Sequence, residues 1–404
     1  MFVCAELLIV PQMAFFSALI ILLNTHDTLA ASISKPKVSH SGHVGVLASV
    51  KKRHPRRHVR CIQRICPSGA AAGMAALQSF YNHSTGLWDT TDWWNSANVL
   101  VTTINYSMLT NTNIYHSHIF NTFEKHKKSK FLNHWFYDDE GWWALTWIKA
   151  YDLTGKTRYL DMAKTIFKDM ERGWDSTCGG GIWWSKKRKY KNAITNELFL
   201  SVAIQLHLRT FNDQGPGSYL KWAQREWRWF KHSGLINRSY LINDGLNSAC
   251  QNNGQIIWSY NQGVILGGLV DLYKSTHDNS LLIQAQSLAN SAIRGLAPNG
   301  ILREPCEPSN CGADSWQFKG IFMRNLFYLY QATHRQKYRE FITKNANSIW
   351  LHRNHANQFG LSWQGPFDSA DAIRQSSAMD AINAALALGT DRTLKGVIEV
   401  GTRF

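Results

Sequence analysis

Residues Gly263–Val270 read GVILGGLV, eight small or apolar residues in a row, and this stretch decides the fold class. A helix formed here would be apolar around its whole circumference, because no polar residue interrupts the run. Such a helix is stable in water only when neighbouring elements cover it on every side. The stretch therefore predicts an inner helix that is enclosed by other helices.

The chain repeats a pattern in which one such helix ends and a second helix begins. The copies follow Tyr-x-x-Thr, or His-x-x-Thr in one looser case: Tyr151–Thr154, His207–Thr210, Tyr273–Thr276 and Tyr330–Thr333. Their first residues lie 56, 66 and 57 positions apart. The helix that follows the first copy has a single apolar stripe, formed by Tyr159, Ala163, Ile166, Phe167 and Met170. Each repeat is therefore predicted to pair an inner helix with an amphipathic outer helix.

A loop of glycine and apolar residues follows each predicted pair. Its copies are Gly86–Trp88, Gly181–Trp183, Gly234–Ile236, Gly300–Leu302 and Gly360–Trp363, with a degenerate copy near Trp135–Tyr137. Six loops imply six helical hairpins. An open solenoid would need polar caps at both ends, and the sequence offers none. We therefore predict an all-α fold, an (α/α)6 toroid or barrel of six helical hairpins; an irregular helical bundle is the alternative.

The segment Phe136–Trp143 (FYDDEGWW) carries the residues that point to chemistry. Asp138 and Asp139 are adjacent, and like charges this close push one pKa upward, so that a pair can divide into a proton donor and an anion. Aromatic neighbours suit a sugar-binding cleft, and two carboxylates are the usual machinery of glycoside cleavage. The alternative is a plain acidic helix start, which the helix dipole favours.

The sequence composition predicts that the two ends of the chain lie outside the folded domain. Residues 1–31 contain an apolar run of signal-peptide length, with Met13 as a more natural start. Residues 32–69 are predicted to be a basic, disordered tail or a propeptide. Residues 70–390 would form the catalytic domain, and 391–404 a C-terminal tail.

Three Asn-x-Ser sequons agree with secretion: Asn82, Asn105 and Asn237 are their first residues. Cys4 would leave with the signal peptide, and six cysteines remain, an even number that suits an oxidising compartment. Two short spacings could each close a small loop, Cys61 with Cys66 and Cys306 with Cys311, which leaves Cys178 and Cys250 to pair. The sequence has no CxxC spacing, and we expect no metal and no cofactor.

The formal net charge is +16, but it is distributed unevenly. Residues 32–66 hold nine Lys and Arg and no acid. A second basic run, Lys186–Lys191, lies within the predicted domain. It reads either as a solvated loop or as a surface that attracts a polyanion, such as a phosphorylated polysaccharide.

The chain from about Ala70 to Leu388 resembles glycoside hydrolase family 76, the endo-α-1,6-mannanases and related fungal wall enzymes. The matching segments, in chain order, are Thr85–Trp88, Trp93–Asn98, Tyr137–Trp143, Gly180–Trp184, Asn192–Leu198, Asn243–Leu246, Trp258–Gly263, Asp314–Arg324 and Ser376–Ala381. The resemblance implies the (α/α)6 barrel, in agreement with the repeat count. It implies a retaining mechanism in which Asp138 is the nucleophile and Asp139 the general acid/base. Adjacent residues of a regular helix diverge by about 100°, so the pair is expected at the loop–helix junction and not inside the helix.

Polar and aromatic residues near the starts of inner helices are candidates for sugar binding. The predicted set is Trp94, Asn95, Tyr137, Trp184, Asn196, Asp244, Tyr260, Asn261, Gln262, Asp314 and Trp363. For Asn196, Asp244, Asn261 and Gln262 the alternative is a helix cap or a turn. The tryptophans could stack on sugar rings or simply fill the barrel mouth. Asp314 and Lys319 could form a structural ion pair or could line the cleft.

The reading favoured by these features is a secreted hydrolase that cleaves α-1,6-mannan internally, as a monomer located outside the cell or in the cell wall. No nucleic-acid partner and no stable membrane insertion are expected. A cell-wall transglycosylase using the same covalent intermediate is the first alternative; the chain's end lacks the hydrophobic tail of an anchor signal. A non-enzymatic protein that binds polyanions or polysaccharides is the second, and it rests on charge alone.

Overall fold

The computed structural model of the protein describes residues 61–62, 65–309 and 312–389. This described part contains twelve α-helices: α1 (Pro67–Gln78), α2 (Trp93–Thr110), α3 (His116–His126), α4 (Tyr137–Thr154), α5 (Thr157–Met170), α6 (Ala193–His207), α7 (Tyr219–His232), α8 (Ser259–Thr276), α9 (Asn279–Leu296), α10 (Phe318–Thr333), α11 (Gln336–Leu351) and α12 (Ala372–Leu388). One small antiparallel hairpin joins α1 to α2, with strands β1 (Tyr81–Asn82) and β2 (Leu87–Trp88).

The even-numbered helices form a closed inner ring. Each packs on the next in the order α2, α4, α6, α8, α10, α12, and α12 packs back on α2. The odd-numbered helices lie outside: α5, α7, α9 and α11 each pack on the inner helix before them, and α1 packs on α12. The run Gly263–Val270 lies in α8 and is fully buried, as its composition requires. The all-α (α/α)6 prediction is confirmed.

The Tyr-x-x-Thr repeat marks the end of an inner helix. In α4, α8 and α10 the residue after the threonine is left-handed, and its N–H donates to the carbonyl oxygen of the repeat tyrosine. The threonine hydroxyl donates to the carbonyl oxygen four residues back, for example from Thr154 to Ala150 at 2.7 Å. The repeat is therefore a helix terminator, which is why it recurs once per hairpin.

Buried amide side chains hold the glycine–apolar loops in place. In each case the side-chain oxygen accepts the N–H of a buried loop residue, and in most the side-chain nitrogen donates to the same residue or a near neighbour. We call these contacts the amide clamps; in the described part they are Asn196 on Ile182, Gln262 on Ile242, Asn345 on Leu302, and Gln375 on Phe359. Because a buried loop cannot leave its peptide groups unpaired, the clamps replace the hydrogen bonds that a sheet would supply.

Two of the predicted disulfides are present, Cys61–Cys66 and Cys178–Cys250. Cys306 is also disulfide-bonded, while its predicted partner Cys311 lies outside the described residues. Within the described ranges no helix is long and apolar enough to cross a membrane.

Helix α1 begins at Pro67, three positions before the predicted start of the catalytic domain at residue 70. It contributes the buried residues Ala70, Met74 and Leu77 to the core. The predicted signal peptide, most of the basic tail and the segment 391–404 lie outside the described residues.

Asn196→Ala removes one amide clamp and should lower the free energy of unfolding substantially. Asn196 is 0% exposed, and its loss strands the N–H and C=O groups of Ile182. Each buried group left unsatisfied costs about 1–3 kcal/mol. Urea unfolding followed by circular dichroism measures the change, with Asn299→Ala at an exposed loop position as the matched control. A loss no larger than that of the control would show that the clamp does not hold the loop.

Candidate active site

The two adjacent aspartates lie at the end of the ring where the inner helices begin, which we call the mouth. Phe136 is the N-cap of α4 with an extended backbone, and Asp138 and Asp139 occupy the first helical turn. The pair therefore lies close to the loop, but the prediction that it lies outside the helix is wrong, because α4 already begins at Tyr137. The free N–H groups of this turn make it a favourable place for negative charge.

Asp138 is held by a residue from the loop that precedes α6. The indole N–H of Trp184 donates to Oδ2 of Asp138 at 2.9 Å. The other oxygen, Oδ1, is buried without a hydrogen-bond partner among the described residues. Loss of solvent raises the pKa of Asp138, while the Trp184 bond and the backbone N–H groups of the helix start lower it. One carboxylate oxygen is thus fixed by a hydrogen bond, whereas the other is not.

Asp139 has a different partner and a more acidic neighbourhood. The side-chain nitrogen of Asn133 donates to Oδ2 of Asp139 at 2.5 Å. Burial raises the pKa of Asp139, and the charges of Asp138, Asp314 and Glu140 raise it further. The pKa of both aspartates is raised. The charge of Asp314 acts on both, and Asp139 has more acidic neighbours besides.

A third carboxylate, Glu140, is turned away from the pair and buried. Its Oε1 accepts from Lys186 at 2.8 Å and from the backbone N–H of Asn133 at 3.0 Å. Lys186 also pairs with Asp169 at 2.7 Å. Glu140 therefore ties the loop before α4 to the basic run at Lys186–Lys191.

Three members of that basic run, Lys186, Arg188 and Lys191, form ion pairs with acidic side chains of the protein. Besides Lys186, Arg188 forms an ion pair with Asp175, and Lys191 donates to Asp175 at 2.9 Å and to three backbone carbonyl oxygens. Lys187 lies over the exposed ring of Trp135. The run is thus mainly a loop anchor, and the solvated-loop interpretation fits only its exposed part.

Aromatic side chains and Asp314 form the wall on the α2 and α10 side of the mouth. The indole N–H of Trp94 donates to Oδ1 of Asp314 at 3.1 Å. Trp94 stacks on Trp142 and packs near Phe318, which in turn stacks on Tyr260 at 3.7 Å between ring centroids. The predicted Asp314–Lys319 ion pair is absent: Lys319 is buried and pairs with Glu307 at 2.5 Å.

Tyr260 and Asp244 close the wall on the α8 side. Tyr190 donates its hydroxyl to Oδ2 of Asp244 at 2.5 Å and packs edge-on against Trp184. Burial raises the pKa of Tyr260, and the charges of Asp244 and Asp138 add to the effect. These charge effects indicate that Asp138, Asp244 and Tyr260 lie near one another.

The structure brings together only part of the predicted binding set. Trp94, Trp184, Asp244, Tyr260 and Asp314 surround the pair, and Tyr137 lies beneath it with its ring buried under Lys186. It does not bring Asn95, Asn196, Gln262 or Trp363 to the mouth. Asn196 and Gln262 are amide clamps, Asn95 bonds to Gln317 and to the N-cap of α2, and Trp363 is 2% exposed. Asn261 is buried with both side-chain polar atoms unpaired among the described residues.

Sequence reasoning missed Tyr190, Phe318 and Asn133. Tyr190 sits in a basic run, Phe318 looks like ordinary core, and Asn133 precedes the helix by four positions. An asparagine shortly before an acidic helix start is a usable signal, because asparagine side chains commonly organise such turns.

Two further carboxyl groups are fully buried near α6. Glu197 and Glu226 are each 0% exposed, and none of their oxygens has a hydrogen-bond partner in the described part of the chain. Burial raises the pKa of both side chains well above the ordinary value. The charge of Asp244 raises that of Glu197 further. Among the described residues no group of three or more His, Cys, Asp or Glu could hold a metal ion.

A family model described as Glycosyl hydrolase family 76 matches residues 67–396, a range that begins where α1 begins. The mannan endo-1,6-alpha-mannosidase DCW1 of Candida albicans is 31% identical over 210 residues, which is 47% of this chain and 46% of that protein. The chain thus matches about half the length of this curated relative.

Two solved structures share the fold. One is an inactive variant of an alpha-1,6-mannanase from Salegentibacter sp. HEL1_6, with two consecutive aspartates replaced by asparagine, in complex with alpha-1,6-mannotriose. It has a TM-score of 0.71 and 23% identity, and the match covers 80% of this chain and 99% of that one. The other is Dfg5 from Chaetomium thermophilum in complex with glucosamine, with a TM-score of 0.70, 20% identity, and coverage of 84% and 93%.

Glu226→Gln should make stability less dependent on pH. Burial raises the folded-state pKa of Glu226 above its ordinary value of 4.5, so the folded state keeps this proton at a pH where the unfolded state loses it. Its stabilising contribution is complete below that ordinary value and declines as pH rises toward the folded pKa. The melting temperature should decrease between about pH 5 and about pH 8, and this decrease should be smaller in the variant than in the wild type.

Glu340→Gln, at an exposed position on α11, is the control for that comparison. An equal decline of melting temperature in the wild type and in Glu226→Gln would mean that Glu226 is not held neutral by burial.

Proposed function

Because the chain belongs to glycosyl hydrolase family 76, we propose that it is a retaining glycoside hydrolase that cleaves α-1,6-mannosidic bonds within a mannan backbone. The observation that carries the proposal is the Asp138–Asp139 pair, whose members are held at the mouth by two different N–H donors, Trp184 and Asn133. The relative from Candida albicans is named a mannan endo-1,6-alpha-mannosidase, and the Salegentibacter mannanase holds alpha-1,6-mannotriose.

In the first step Asp138 acts as the nucleophile. Its free Oδ1 forms a bond to the anomeric carbon of the mannose unit while the bond from that carbon to the leaving oxygen breaks. The Trp184 N–H and the N-terminus of α4 support the carboxylate as an anion. The product is a mannosyl ester of Asp138, with the configuration at the anomeric carbon inverted once.

Asp139 supplies the proton that the leaving oxygen needs. A group with this task must be protonated when the bond breaks, and burial together with the charges of Asp138 and Asp314 raises the pKa of Asp139 accordingly. Once it has lost its proton, Asp139 takes one from a water molecule whose oxygen attacks the anomeric carbon. The ester bond to Asp138 then breaks, and the second inversion restores the original configuration.

The walls of the mouth supply the sugar-binding groups. Trp94, Trp184 and Tyr260 offer aromatic faces, on which the apolar face of a pyranose ring can pack. Asp244 and Asp314 offer carboxylate oxygens that accept hydrogen bonds from sugar hydroxyls. These five residues are the binding set that we retain from the sequence prediction.

We place the protein outside the cell, either secreted or in the cell wall. The disulfides Cys61–Cys66 and Cys178–Cys250 support this location, because such bonds persist in oxidising compartments. Mannan of the wall would be the substrate met there.

Product analysis on linear α-1,6-mannan tests the proposal directly. We expect internal cleavage into short oligosaccharides, with the α-anomer formed first when products are followed by NMR. Adding an acceptor sugar separates hydrolysis from transglycosylation, since a transferase would lengthen the acceptor instead of releasing reducing ends. The absence of any new product, with or without the acceptor, would refute both activities.

Asp138→Asn and Asp139→Asn should each abolish cleavage of mannan and leave the fold intact, because the change removes charge and hardly alters volume. Loss of a nucleophile or a general acid costs about 10²-fold or more in rate. Reducing-end assays measure the loss, and circular dichroism checks the fold. Asp161→Asn, on the exposed face of α5, is the matched control and should keep full activity. A variant of the pair that kept more than about a tenth of the wild-type rate would remove that residue from the mechanism.

Azide should separate the two roles. A mannoside with an activated leaving group needs no acid, so Asp139→Ala should still form the mannosyl enzyme, and azide should rescue turnover with retained configuration. Asp138→Ala has no nucleophile, so azide in its place should give an inverted product. NMR of the mannosyl azides distinguishes the outcomes, and the opposite pattern would exchange the two assignments.

A further inference from the structure

Asn133 lies outside the aspartate pair and contacts one member of it, Asp139, directly. Its side-chain nitrogen donates to Oδ2 of Asp139 at 2.5 Å. Its side-chain oxygen accepts the backbone N–H groups of Trp135 at 2.7 Å and Phe136 at 3.1 Å. Because an amide oxygen can only accept and an amide nitrogen can only donate, these two backbone donors fix which end of the amide faces Asp139.

The loop that carries Asn133 is held from two sides. Phe131 is fully buried and packs among Trp93, Trp143 and Trp147. The backbone N–H of Asn133 donates to Glu140 at 3.0 Å. Asn133 is therefore positioned by the core and by the helix that it serves.

On the basis of the proposed function, we propose that Asn133 is a positioning residue that decides which oxygen of Asp139 carries the catalytic proton. Occupation of Oδ2 by the Asn133 N–H places the proton on Oδ1. The rotation of the carboxyl group is fixed in the same way, so Oδ1 remains directed at the leaving oxygen. Asp138 is arranged in parallel, with Trp184 on Oδ2 and a free Oδ1.

The Asn133 N–H also affects the pKa of Asp139, and therefore the pH at which Asp139 loses its proton. A donor to a carboxylate favours the charged form and lowers its pKa. The groups acting in the other direction are Asp138 and Glu140 on the same helix, Asp314 before α10 and Asp92 before α2. Removal of the Asn133 donor leaves this repulsion unopposed, so the alkaline limb of the rate profile should move to higher pH.

Two variants distinguish the hydrogen bond that Asn133 donates to Asp139 from the turn that its side-chain oxygen holds. Asn133→Asp keeps an oxygen for the N–H groups of Trp135 and Phe136 but replaces the donor with an anion. Asn133→Ala removes both. Each should lower kcat/KM on linear α-1,6-mannan by at least about tenfold, a part of the ~10²–10⁴-fold that general acid catalysis supplies. With an activated aryl mannoside, which needs no acid, kcat/KM should change by less than about threefold.

The alkaline limb should shift upward in both variants, and further in Asn133→Asp because of the added charge. Asn354→Ala is the control: Asn354 organises a similar turn between α11 and α12 and should affect neither substrate. If Asn133→Asp keeps the wild-type profile and the wild-type ratio between the two substrates, the inference is overturned, whatever Asn133→Ala does. If the wild-type protein cleaves no mannan, the proposed function fails first, and this inference with it.

Discussion

The hydrogen bonds that the amide clamps make to the buried loops are the interaction on which the mouth depends. A ring of parallel inner helices presents only helix N-termini at one end. In the described part of the chain, the loops there pair through the short β1–β2 hairpin and isolated bridges, and no larger sheet satisfies the rest of their peptide groups. Asn196 and Gln262 supply those pairs to Ile182 and Ile242. Trp184 and Asp244 each follow a clamped residue by two positions. The clamps thus hold the loop segments that carry both side chains.

Features that depend on neighbouring residues could be predicted from the sequence. The run at Gly263–Val270 and the Tyr-x-x-Thr repeat are local, because apolarity and the left-handed residue that ends a helix are encoded within a few positions. The same holds for Asp138 and Asp139, whose adjacency is visible without a structure. These signals were sufficient to predict the ring of six hairpins, and the aspartate pair stays the prediction for its reactive end.

Features that depend on distant partners could not be predicted in the same way. Trp94 meets Asp314 across 220 positions, and Tyr190 meets Asp244 across 54. Asn196 and Gln262 also show that distant partners limit the prediction, because both were predicted to bind sugar and instead hold loops. A buried amide near the start of an inner helix has one sequence pattern whether it faces a sugar or a loop, and only the packing decides between them.

The packing of α12 on α2, which closes the ring, sets the order in which the protein can be completed. Helix α2 needs α4 on one flank and α12 on the other, and these neighbours are made at opposite ends of the domain. During synthesis the apolar flank of α2 stays uncovered until α12 leaves the ribosome, more than 250 positions later. For most of translation the growing chain is therefore an incomplete ring with exposed apolar surface at both ends. Chaperones that bind nascent chains would have to cover these two surfaces for the longest time.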